Sequence, residues 1–96
     1  MVVEFLTFRV DPVDVERWLE AEAKAWTSAL RRRPGFVRKE LWRSAADPGE
    51  VHAVIWWQSE EAWKSMSRSE VAAVDQQMGS LLRTPVERTF QVLRRD

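Results

Sequence analysis

The chain has no cysteine, no tyrosine, no asparagine and a single histidine among its 96 residues. Without cysteine there can be no disulfide, no thiolate metal site and no thiol nucleophile. One imidazole with no thiol beside it is too small a donor set for a zinc-type centre, so no metal is expected. Charge of one sign is also lacking, because 15 basic residues meet 15 acidic ones. No net positive field exists to draw nucleic acid or anionic lipid, and neither is expected as a partner. Long apolar runs are missing too. The longest uncharged one, Ala53 to Trp57, is far short of the roughly 18 residues that span a membrane. Glu4 comes early, with no basic segment ahead of an apolar stretch, so no signal peptide is read. There is no Gly-rich phosphate loop, no Ser-His-Asp set and no close carboxylate pair. The expectation is a cytoplasmic protein of one domain, residues 1–96.

Large aromatic rings, in contrast, are abundant: six Trp and four Phe. Each can bury about 150–250 Å². A domain this small buries only roughly 60–65% of its unfolded surface. One small core would struggle to take all these rings, which points to self-association.

The pattern along the chain gives six elements. Val2 to Val10 reads as a strand with apolar groups on both faces. Asp11-Pro12-Val13-Asp14 then supplies an N-cap, a proline for the first turn and a negative charge. The next element, a helix, carries Val15, Trp18, Leu19, Glu22, Ala23, Trp26, Ala29 and Leu30 as one stripe. Glu22 interrupts the stripe. It is expected at a solvated edge rather than facing a cavity, because an unpaired buried acid is costly. Arg31-Arg32-Arg33 complements the helix dipole, and Pro34-Gly35 stops the helix.

Phe36 to Ser44 and Val51 to Gln58 are read as a hairpin about an Asp-Pro-Gly turn. The first alternates Phe36/Arg38/Glu40/Trp42 against Val37/Lys39/Leu41/Arg43. The second is apolar on both faces and is expected at the centre of the sheet. Ser59 caps a further helix, which Ser67-Arg68-Ser69 bends and Ser69-Glu70 restarts. Val86 to Leu93 is the last strand. The order is βαββαβ, the ferredoxin-like α+β arrangement. Two helices cover one sheet face. The other face is also apolar, and a second copy would cover it, giving a homodimeric α+β barrel.

Pro34-Gly35-Phe36-Val37, the hairpin, and Trp57-Gln58-Ser59-Glu60-Glu61-Ala62-Trp63 together resemble the antibiotic biosynthesis monooxygenase-like superfamily of dimeric α+β barrels. Val2 to Phe8, Pro34 to Lys39 and Val51 to Trp57 are more narrowly similar to a small bacterial family of unassigned function. The resemblance implies either cofactor-free oxidation of polycyclic phenols or haem degradation. Haem degradation is not expected. The ring-distorting Trp of haem-degrading members falls at Met66, their haem-ligating His falls at Gln76, and their first-strand Asn has no counterpart. The lack of Tyr also weakens a copy of the phenol-oxidising site. No cofactor is expected.

The expected ligand is a small aromatic or apolar molecule between sheet and helices. Trp26, Trp63, Met66 and either Trp56 or Trp57 would form its walls. Adjacent strand residues point to opposite faces, so only one of Trp56 and Trp57 can join them. His52 is the candidate general base, as the one side chain that titrates near neutrality. The alternative is a non-catalytic ligand-binding or interaction homodimer whose tryptophans are packing only. Arg9, Arg38, Arg88 and Glu40 are expected in edge or interface ion pairs.

Overall fold

The computed structural model describes all residues from Met1 to Asp96. Strands β1 (Val2–Arg9), β2 (Phe36–Arg43), β3 (Glu50–Trp57) and β4 (Val86–Gln91) form one antiparallel sheet in the order β2-β3-β1-β4. The two central strands are the two whose faces are both apolar, as expected of strands flanked on each side.

The first helical segment opens as the sequence predicts. The Asp11 side chain accepts from the Val13 amide, and a single 3₁₀ turn (Pro12–Asp14) leads into α1 (Val15–Glu22). The rod then changes pitch. Ala23–Thr27 is a π-helical segment, with the Ser28 amide donating to the Ala23 carbonyl, and α2 (Ser28–Leu30) completes it. A π turn fits one more residue than an α turn and is often found beside functional sites. Gly35 ends this region at φ +84. A Cβ there would run into the Ala62 side chain, so the position needs glycine for both conformation and space.

Ser59 caps α3 (Glu60–Trp63) through the Ala62 amide. The chain restarts at α4 (Arg68–Gln76), whose cap, Ser67, stands two residues ahead of the expected Ser69. Ser67 and Glu70 form a reciprocal capping box, which satisfies two otherwise free amide donors.

All the helices lie on one sheet face. Val10, Val15, Trp18, Ala25, Val51, Val74 and Met78 form the larger core cluster, and Leu30, Ile55 and Trp57 a smaller one. Trp57 is 2% exposed on this side, so Trp56 faces the other way. That other face carries an aromatic patch centred on Phe5. Its ring lies 6.0 Å from Trp42, 4.9 Å from His52 and 6.1 Å from Phe90. Trp42 is 45% exposed and Phe90 41%. Strand β4 is exposed along its whole length.

Strand β2 is not regular. Its register slips between Phe36 and Arg38, which face Trp57 and Trp56 on β3. Val37 is the extra residue of a β-bulge. The alternation read from the sequence therefore holds from Arg38 onward and fails before it. Phe36 joins Lys39 and Leu41 on the helix side instead of keeping to the face of Arg38.

Candidate functional site

These two irregular segments face each other across a cleft of about 510 Å³. The π segment and its neighbours contribute Leu19, Glu22, Ala23, Thr27 and Arg31, while the bulged strand contributes Phe36, Arg38, Lys39 and Leu41. The π turn sets Thr27 over Glu22, so that the Thr27 hydroxyl donates to both Glu22 carboxylate oxygens at 3.1 Å. The bulge turns both Phe36 and Lys39 toward the helices.

Glu22 was expected at a solvated edge, and the structure corrects this. Its side chain and that of Lys39 are each 4% exposed, and the two form an ion pair. The stripe position of Glu22 is thus a buried one, with the cost of its charge offset by an opposite charge on β2. Burial pushes the Lys39 pKa down, opposed by the attraction of Glu22.

A second carboxyl lies on the same side of the sheet. Glu4 accepts from the Trp57 indole N–H at 3.2 Å. Burial raises its pKa, and repulsion from Glu87 adds to this, while the indole hydrogen bond opposes it. Two carboxyls on this side, Glu22 buried and Glu4 half-buried, therefore share one lysine, and Glu4 is the acid left without a close cation.

The residues expected to form one site are divided between the two faces. Trp26 packs against both core clusters and donates its indole N–H to Asp75 at 3.0 Å. Trp57 and Trp63 belong to the smaller cluster, and Met66 packs on the larger one. None of these four lines the 510 Å³ cleft. Trp56 lies on the opposite face, with the Arg38 guanidinium 4.1 Å above its ring. His52 is on that face too. Its Nδ1 is 3.0 Å from the Thr7 hydroxyl and its Nε2 is 2.9 Å from Glu50. Of the strand residues expected in ion pairs, Arg9 pairs with Asp47 at 2.7 Å and Arg38 with Glu40 at 3.1 Å, while Arg88 makes none and sets its guanidinium 4.8 Å from the centre of the Phe90 ring.

The cleft is lined instead by residues not singled out as a ligand site from the sequence: Leu19, Glu22, Ala23, Thr27, Arg31, Phe36, Arg38, Lys39 and Leu41. One signal was available. Glu22 and Lys39 are opposite charges, each standing at an inward position of an otherwise apolar pattern.

Residues 1–74 match the family model described as antibiotic biosynthesis monooxygenase. No curated protein matches. Among solved structures, a monooxygenase of Streptomyces coelicolor from the gene ActVA-Orf6, in complex with nanaomycin D, is 22% identical. It aligns over 99% of this chain and 89% of its own with a TM-score of 0.81. SnoaB of Streptomyces nogalater, a cofactor-independent oxygenase, is 17% identical over 98% of this chain and 94% of its own, with a TM-score of 0.75. An antibiotic biosynthesis monooxygenase homologue from Bordetella bronchiseptica is 16% identical over 97% of each chain, with a TM-score of 0.79. At these identities the likeness establishes the fold.

Proposed function

Since the chain belongs to the antibiotic biosynthesis monooxygenase family, we propose that it is a cytoplasmic homodimer that takes a small apolar or aromatic molecule between sheet and helices. We further propose that it oxidises that molecule with dioxygen and without a cofactor of its own, as the name of its structural neighbour SnoaB describes. The observation that carries this reading is the 510 Å³ cleft between the π segment and β2. Its size lies within the range of small-molecule sites, and its lining sets four apolar residues, Leu19, Ala23, Phe36 and Leu41, beside five polar or charged ones. Leu19, Phe36 and Leu41 would hold the apolar body. Trp26 and Trp57 would act behind them, by fixing the core on which the walls stand.

In this reading His52 is an interface residue. The Phe5, Trp42, Trp56 and Phe90 face is the surface a second copy would cover, with the two sheets stacked about 10 Å apart. A second reading, a ligand-binding dimer without catalysis, is favoured by the place of Trp18 and Trp57 in closed packing, 1% and 2% exposed.

Oxygen uptake with a panel of polycyclic phenols separates the two readings. The first expects uptake by the wild type and its loss in Leu19→Trp, which fills the cleft, with the far-ultraviolet circular dichroism unchanged. Binding without uptake supports the second reading. Undiminished uptake in folded Leu19→Trp would remove the chemistry from this cleft.

A further inference from the structure

The charges around the cleft are unequal. Arg31, Arg38 and Lys39 line it, against Glu22 alone. Three of these four are already engaged. Glu22 and Lys39 neutralise each other in a pair closed off from solvent. Arg38 is held by Glu40 at 3.1 Å and by the Trp56 ring at 4.1 Å. Arg31 makes no ion pair, and of the seven arginines without one (Arg31, Arg32, Arg43, Arg68, Arg83, Arg88 and Arg95) it alone lines the cleft. It stands exposed at the C-cap of α2, at the cleft wall. The helix dipole accounts for a positive charge at that end. It does not use the five N–H donors of a guanidinium, whose planar fork matches a carboxylate.

We infer that the ligand of this cleft is an apolar organic acid bound as its anion, with its carboxylate on Arg31 at the wall and its hydrocarbon body on Leu19, Phe36 and Leu41. This rests on the cleft being the ligand site, and it adds the chemical class of the ligand. The buried Lys39–Glu22 pair presents no net charge to the body of the ligand. The one uncommitted charge therefore selects the head group.

Calorimetric titration with 1-naphthoate and with its uncharged near-isostere 1-naphthamide tests this. The wild type is expected to bind naphthoate about tenfold more tightly, the scale of one hydrogen bond to a charged group. Arg31→Gln should bring the ratio close to one and leave naphthamide binding unchanged, whereas Arg95→Gln in the C-terminal tail should leave the ratio intact. Leu19→Trp should abolish binding of both. Equal affinities in the wild type would overturn the inference while the cleft stands. So would a preference that survives Arg31→Gln or falls equally in Arg95→Gln. If neither probe binds, or if Leu19→Trp binds both as the wild type does, the cleft reading falls and the inference with it.

Discussion

Lys39→Met leaves the Glu22 carboxylate buried with only the Thr27 hydroxyl to receive it. Both partners of the lost pair are 4% exposed, so bulk water cannot take over the role of the ammonium group. Removing one partner of such a pair costs about 3–5 kcal/mol. Glu22→Leu strands the lysine instead, and that variant escapes by releasing a proton.

The double variant Glu22→Leu/Lys39→Met removes both charges and puts apolar groups of similar size in their place. It should lie within about 1–2 kcal/mol of the wild type, and it can exceed it, since apolar replacement of a buried pair is often neutral or stabilising. Urea unfolding followed by tryptophan fluorescence, at one fixed protein concentration, yields the four corners of this cycle. A coupling of at least about 3 kcal/mol is expected. Single variants that each cost under about 1 kcal/mol would show that the pair is hydrated. A double variant that costs the sum of the singles would show that the two charges do not act on each other. Either outcome refutes a buried, mutually neutralising Glu22–Lys39 pair.

Three further variants probe the frame around the site. Gly35→Ala must hold φ +84 and displace the Ala62 side chain, so a loss of about 3 kcal/mol and a melting temperature lower by more than about 10 °C are expected by calorimetry. A loss of a few tenths of a kcal/mol would show that the turn can relax. Glu4 has a raised pKa, so the folded chain keeps a proton that the unfolded chain has released. Wild-type stability should therefore fall as pH rises from the ordinary carboxylate value of 4.5 through the raised one. In Glu4→Gln that part of the decline should be absent, and matching pH profiles of denaturant midpoint would contradict the burial of this acid. Trp42→Glu combined with Phe90→Arg should turn a sedimenting dimer into a monomer, since central interface aromatics contribute about 2 kcal/mol or more each. A wild type already monomeric at micromolar concentration would rule out the proposed pairing of sheets.

What was legible in the sequence is what short-range chemistry decides. Asp11 with Pro12, and Ser59 with the acids after it, mark helix starts because capping needs only neighbours. The two-faced apolar strands Val2–Arg9 and Glu50–Trp57 announce the sheet centre for the same local reason. The Ser67–Glu70 capping box is also local, and reading the restart at Ser69 misses it by two residues. What could not be read depends on register across space. Whether Trp56 or Trp57 meets the helices is fixed by pairing with β1, where Trp57 stands opposite Val2. Glu22 looks like a misfit until β2 brings Lys39 to it.

The cleft exists where a helix and a strand each hold one residue more than their regular forms need. Removing Val37 would restore plain alternation and draw Phe36 toward Lys39 by one strand step, about 3.3 Å. Removing one residue from the π segment would let the rod run on as plain α-helix with Ser28–Leu30 in place, and would take away the offset that sets Thr27 over Glu22. The size of molecule this site accepts is therefore written in chain length as much as in side chains. Gain or loss of a single codon, rather than a substitution, is the change that would re-cut it most sharply.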